Sequence, residues 1–219
     1  VEKRFRWRRF SMHTKVVLTM SVALTVGGAV IFRITEDMPW IGALFNSVTA
    51  RTAGFSTYSL GEFSNAGLLA MIFLMFVGAS PGSTGGGIKT STLFALIQGI
   101  KTAATNTSGK AFHYSVPHGV FRKASVIAVM GISVIAVGTF MLCAFEPDIA
   151  IRDALFEMTS AFGTVGLTTG ITTGLCTASK LTSIVMMYIG RLGPLTIATL
   201  WYFTNGDRIK YPDGNIAIG

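Results

Sequence analysis

Two short runs, Thr52-Ala53-Gly54-Phe55 and Thr164-Val165-Gly166-Leu167, repeat a Thr-x-Gly pattern 112 residues apart. Neither run contains an acid, a base or a thiol, so its chemistry must come from the backbone and the threonine hydroxyls. Glycine reaches the φ/ψ values that turn carbonyls inward, which a β-carbon would hinder. Peptide oxygens without amide partners are costly in a dry interior. A cation that exchanges its water shell for those oxygens removes the cost. A lone Thr-x-Gly would read as the end of a buried helix; two at matching points read as a pair of cation-coordinating turns.

A second unusual run is Gly78-Ala79-Ser80-Pro81-Gly82-Ser83-Thr84-Gly85-Gly86-Gly87, followed by Ile88 and Lys89. Five glycines and one proline disfavour continuous helix by about 8 kcal/mol. The run is therefore expected to be an unwound loop between two half-helices, beneath the Thr-x-Gly turns and suited to act as a gate. Its GxxxG spacings would also serve close helix packing. A phosphate loop is excluded, because Ile88 separates Gly87 from Lys89 and no strand precedes the run. Arg191 is a single charge in an apolar segment, costing ~2.5–3.5 kcal/mol by insertion scales. The 112-residue offset sets it level with Ala79, so it is expected to donate to loop carbonyls.

Positioning such turns calls for helices in a membrane. Half of the 219 residues are hydrophobic and 13% are charged, with a mean hydropathy of +0.57. So few charges cannot cover a water-facing surface. A crossing needs ~20 apolar residues, and four segments qualify: 16–32, 63–88, 124–145 and 181–206. Segments 40–50 and 154–162 are too short to cross. Each lies between a crossing and a Gly/Thr-rich stretch, the layout of a re-entrant hairpin. A half-helix entering from outside aims the negative end of its dipole at mid-membrane.

The chain is also one unit written twice. Ala43-Leu44-Phe45 recurs as Ala154-Leu155-Phe156, and after a one-residue insertion Thr52–Thr57 lies on Thr164–Thr169. Each unit reads helix, short half-helix, Thr-x-Gly turn, helix. The boundaries follow: a basic cytoplasmic segment 1–15, a first unit 16–105 carrying the Gly-rich loop 78–87, a cytoplasmic linker 106–123, a second unit 124–206 and a cytoplasmic tail 207–219. Twelve of the 18 Lys and Arg fall in 1–15, 101–123 and 205–219, while seven of the ten acids fall in 33–63 and 146–180. That asymmetry puts both ends of the chain in the cytoplasm. Arg33, Arg51, Arg152 and Lys180 count with the outer segments.

The Thr-Ala-Gly-Phe turn, the stretch 78–90, Gly163-Thr164-Val165-Gly166-Leu167-Thr168 and Ile189-Gly190-Arg191-Leu192-Gly193-Pro194 together resemble the Trk/Ktr/HKT superfamily of potassium transporters, in particular the membrane subunits of bacterial Ktr systems. The resemblance implies an all-α integral membrane fold of M1–P–M2 repeats, of which this chain carries the third and fourth, half of a pseudo-fourfold pore. It implies filter carbonyls from Thr52, Ala53, Gly54, Phe55, Thr164, Val165, Gly166 and Leu167, and an intramembrane gate of residues 78–87 with Lys89 and Arg191. It further implies potassium as the transported ion, helped by sodium, with no covalent cofactor and no metal beyond potassium at the filter. The implied setting is a homodimer in the cell membrane on a cytosolic ring that binds adenine nucleotides. Since potassium filters need four loops, two turns are expected to be completed by a missing first half. The start at Val1 fits such an upstream piece, and this chain alone is not expected to conduct.

Other readings carry less. An enzyme lacks reagents, since no Asp, Glu or His lies inside the four crossings; a structural adaptor would not need paired turns. The basic start with Phe5, Trp7 and Phe10 reads as an anchor on anionic lipid, not as a nucleic-acid site. Cys143 and Cys176 are expected as free thiols, His13, His113 and His118 make no metal-binding cluster, and the methionines read as packing.

Overall fold

The structure, a computed structural model, describes residues 10–105, 110–112, 114–115, 118–193 and 196. Seven helices make up nearly all of it. Helix α1 (Met12–Thr35) starts where Ser11 caps the Thr14 amide at 3.2 Å. It stops at the polar run before Pro39, where the residue preceding proline is pushed out of helix. Helix α2 (Trp40–Thr49) then runs for only ten residues, about 15 Å. Helix α3 (Asn65–Phe76) and α4 (Thr90–Thr105) follow. A hairpin of two residues per strand, β1 (Lys110–Ala111) and β2 (Tyr114–Ser115), leads to α5 (His118–Phe145). Helices α6 (Ile151–Gly163) and α7 (Thr177–Leu192) complete the described fold.

The order α1–α2–turn–α3 is repeated as α5–α6–turn–α7. In both units the short helix packs on the long one, and the last helix of each unit packs on its first. A shared cap strengthens the repeat. The Glu36 carboxylate accepts from the Ser64 amide at 3.1 Å at the head of α3, and Glu146 accepts from the Cys176 amide at 2.6 Å at the head of α7. An acid at a helix N-terminus satisfies an orphan amide and complements the dipole. Ser64 and Cys176 are separated by the same 112 residues as the turns.

The two units share a core. Phe156, Val165 and Leu167 of the second unit are buried among Phe32, Phe63, Leu68, Met71 and Met75 of the first. Phe76 stacks on Phe162 at 6.2 Å. Outward, α1 and α5 present Val22, Val26, Ile34, Val129, Ile132 and Phe140 to the surroundings. Among the described residues these two helices are long and apolar enough to cross a membrane.

Several boundaries differ from the sequence reading. Helix α1 begins at Met12, inside the segment set aside as 1–15, because the Ser11 cap starts it early. Segment 106–123 is not all linker, since it holds the hairpin and the first six residues of α5. The crossing expected at 63–88 is continuous only to Phe76, where the Gly/Pro run takes over. The crossing expected at 181–206 begins four residues earlier and its helix ends at Leu192. Gly193, at φ 87°, caps it with Pro194 next in sequence; apart from Thr196, the rest of that segment and the 207–219 tail lie outside the described residues.

Candidate functional site

Each Thr-x-Gly turn hangs from the carboxyl end of a short helix. The Thr49 carbonyl accepts from the amides of Ala53 (3.1 Å) and Gly54 (3.2 Å), and the Ser160 carbonyl accepts from Val165 (3.0 Å). Beyond these bonds the chain alternates in handedness. Thr52 and Gly54 have φ of 75° and 77°, and Thr164 and Gly166 have φ of 51° and 94°, with Ala53 and Val165 between them outside that region. Such alternation gathers successive N–H groups on one side of the chain and leaves the carbonyls on the other. A threonine held at positive φ costs about 1–2 kcal/mol, and this chain carries that strain twice, at matching positions.

The two turns meet. The Val165 carbonyl lies against the Gly54 α-carbon, and a β-carbon on Gly166 would stand 4.0 Å from it. Among the described residues no donor is bonded to the carbonyls of Thr52, Ala53, Gly54, Thr164, Val165, Gly166 or Leu167. Phe55 differs from these seven. Its carbonyl accepts the Thr49 hydroxyl at 2.6 Å, and its amide donates back to the same oxygen at 2.8 Å. The first turn therefore offers three unengaged oxygens, not four.

Below the turns, residues 77–89 leave helix geometry. Val77 and Ile88 pair as a parallel bridge that closes the base of the loop, and the Ile88 amide donates to the Phe76 carbonyl at 3.0 Å. Gly87, at φ 72°, fits between the Phe76 carbonyl and the Gly78 amide, and a methyl on Gly78 would strike the Gly86 carbonyl. The loop touches both turns. The Gly86 amide donates to the Thr164 hydroxyl at 2.9 Å, and a β-carbon on Gly85 would come 2.9 Å from the Thr52 side chain. Two cations hold consecutive loop carbonyls from below: Arg191, in the last turn of α7, donates to Thr84, and Lys89 donates to Gly85. Ala79, Ser80, Pro81, Gly82 and Ser83 form the rest of the loop, with Gly82 at φ 82°.

Three residues important to this geometry escaped the sequence reading. Thr49 clamps Phe55, as above. Arg51, counted with the outer segments, instead reaches the middle of α1, donating to the Ser21 carbonyl at 3.2 Å and the Thr25 hydroxyl at 3.3 Å. It follows directly from the tip of α2, which descends alongside α1 through the bond from the Ser47 hydroxyl to the Thr25 carbonyl (2.7 Å). Glu157, inside the segment read as apolar, is buried against the second turn and receives the hydroxyls of Thr168 and Thr172. A hint was present in the repeat: at an offset of 111 residues Thr49 falls on Ser160 and Glu157 on Asn46, so polar groups recur at two matched places on the short helices.

Short helices ending in paired carbonyl turns over a stapled glycine loop, beside two apolar helices long enough to cross a membrane, fit a membrane protein that handles cations. Comparison with known proteins places it more narrowly. Residues 10–208 match the family model of TrkH, described as a cation transport protein, and the chain belongs to that family. It is 34% identical to the Ktr system potassium uptake protein B of Bacillus subtilis, over 100% of this chain and 52% of that protein. It is 34% identical to the potassium/sodium uptake protein NtpJ of Enterococcus hirae, over 98% of this chain and 51% of the other. The fold matches the crystal structure of the potassium transporter TrkH from Vibrio parahaemolyticus with a TM-score of 0.69 at 20% identity, over 88% of this chain and 44% of that one. The chain spans about half the length of the curated relatives it matches.

Proposed function

We propose that this chain forms half of a potassium-conducting pore, the third and fourth repeats of a Ktr-type subunit that takes up potassium across the cell membrane. Two further turns, from a first half of the same pore, complete the ring. The observation that carries the reading is the apposition of two strained Thr-x-Gly turns whose carbonyls have no amide partners among the described residues. Oxygens arranged in that way replace the water shell of a cation about as large as potassium. The carboxyl ends of α2 and α6 lead into these apposed turns and add the negative ends of their dipoles.

In this reading Thr52, Ala53, Gly54, Thr164, Val165, Gly166 and Leu167 line the filter, and Phe55 ends the first strand. Residues 78–87 form a gate directly below, held by Lys89 and Arg191. Basic segments put both ends of the chain in the cytoplasm. As the family resemblance implies, the regulatory partner is a cytosolic nucleotide-binding ring and the working unit is a homodimer; sodium assists uptake, in keeping with the name of the potassium/sodium uptake relative.

Rubidium uptake by the full-length protein, with and without Gly54→Ser, tests the reading. Selective uptake in the wild type that is lost in the variant supports it. A structural adaptor, the other reading of such a subunit, has no uptake to lose.

A further inference from the structure

The two turns are not supported in the same way. The far end of the first is tied by the neutral Thr49–Phe55 clamp. The matching residue in the second unit, Ser160, makes no such bond to Leu167 among the described residues; it lies at an open cleft of about 410 Å³ between α6, α7 and the turn. The work is done there by Glu157, which is 8% exposed and is the only buried carboxylate among the described residues.

Its contacts all come from the outer end of the turn. The Thr168 hydroxyl donates to Oε1, and the Thr169 amide lies 3.3 Å from the same oxygen. Thr172 Oγ1 lies 3.0 Å from Oε2 and 2.7 Å from Thr168 Oγ1, so its single proton is divided between them. The Gly170 amide completes the set by donating to Thr168 Oγ1 at 2.9 Å. The Thr168 hydroxyl, the Thr169 amide and the shared Thr172 hydroxyl face the carboxylate, an arrangement that suits an ionised acid accepting charge-assisted bonds. The matching residue of the first unit is Asn46, which donates to the Gly42 carbonyl of its own helix at 3.0 Å and to the Met38 sulfur at 3.6 Å, with no hydrogen bond to the first turn among the described residues.

We propose that Glu157 is a positioning residue for ion selection: it fixes Gly166, Leu167 and Thr168 at the outer mouth of the filter and places one off-axis negative charge beside one wall of the ring. It acts through the turn, without itself contacting the ion. A carboxamide has nearly the same shape but offers one acceptor oxygen and no charge. It would lose bonds to Thr168 or Thr172 and release the end of the strand. Looser carbonyls discriminate less well between cations of different size.

The proposal rests on the pore reading above, and the experiment separates the two. Rubidium and sodium uptake are measured on the full-length protein in cells lacking other potassium uptake, normalised to folded protein, for wild type, Glu157→Gln, Glu157→Asp and Thr172→Val. The expected result is a fall of about threefold or more in the rubidium-to-sodium ratio for Glu157→Gln, with a raised half-saturation concentration for rubidium. Glu157→Asp should recover part of the loss. Thr172→Val keeps the charge and removes one tether, so it should shift the ratio in the same direction by less, and it serves as the test if Glu157→Gln does not fold. A wild-type ratio and half-saturation in both Glu157→Gln and Thr172→Val, or in Thr172→Val alone if Glu157→Gln does not fold, overturn the inference while leaving the pore reading intact. Absence of rubidium uptake in the wild type overturns both.

Discussion

The Val165 carbonyl points at the Gly54 α-carbon so closely that any side chain on Gly54 would overlap it, whereas a β-carbon on Gly166 meets nothing nearer than the Gly54 α-carbon at 4.0 Å. Both glycines have positive φ, so both resist substitution, but for different reasons. Alanine at Gly166 adds only conformational strain, about 1–2 kcal/mol. Alanine at Gly54 adds that strain and also drives the two turns apart. Gly54→Ala should therefore abolish selective rubidium uptake, and Gly166→Ala should weaken it while retaining measurable selectivity. Equal effects of the two substitutions would show that the turns do not bear on each other in the working pore.

The gate prediction rests on the bond from Arg191 to the Thr84 carbonyl. Glutamine at 191 keeps some hydrogen-bonding capacity but loses the charge and the reach of the guanidinium. The remaining side-chain staples of the loop among the described residues are then Lys89 on the Gly85 carbonyl and Thr164 on the Gly86 amide, both beyond the tip at residues 80–84. Arg191→Gln should change the rate of rubidium flux, upward by several-fold if the loop blocks the pore at rest, while leaving assembly and the rubidium-to-sodium ratio unaltered. A flux per folded protein equal to that of the wild type would remove Arg191 from the gate.

Much of this architecture was legible in the sequence because its determinants are local or repeated. The Gly/Pro run from Gly78 to Gly87 cannot continue a helix whatever surrounds it, so the break after Phe76 could be read directly. The paired turns were legible through their 112-residue spacing. The legibility ended where three-dimensional approach decided the outcome. Arg51 looks like a loop charge in the sequence, yet the tip of α2 carries it to the middle of α1. Phe55 looks like one more filter residue, and only the return of Thr49 onto its carbonyl sets it apart. Glu157 was hidden because a short apolar count treated its helix as uniform. Helix starts were missed by a few residues, four at both Met12 and Thr177, and the helix expected over 181–206 stops at Leu192, since caps such as Ser11 and Gly193 act on single residues rather than on periodicity.

The Thr49 clamp makes a separate prediction. Thr49 is 2% exposed, and its hydroxyl both donates to and accepts from Phe55. Valine there removes both bonds and leaves the Phe55 amide and carbonyl without that partner, a loss of up to about 1–3 kcal/mol per group to the extent that water does not replace it. Thr49→Val should lower the thermal unfolding midpoint of the purified protein, and Thr49→Ser should restore most of it. An unchanged midpoint in Thr49→Val would mean that water or the other half of the pore already satisfies Phe55.

Acid stability gives a prediction outside the membrane. Glu146 is held below the ordinary carboxylate range, first by the amide of Cys176 and then by the Cys176 thiol and the Ser179 hydroxyl. A carboxyl with a depressed value in the folded state stabilises that state fully above its unfolded value, ~4.3 for glutamate, and loses the contribution as pH falls through the folded value. The head of α7 should therefore loosen only under acid conditions, and Glu146→Gln should remove that dependence because an amide does not titrate there. Thermal midpoints of wild type and variant, followed from pH ~7 to ~3 in detergent, should stand apart at neutral pH and converge toward the acid end. Curves that stay parallel throughout would show that Glu146 is already protonated, or unpaired, in the folded protein.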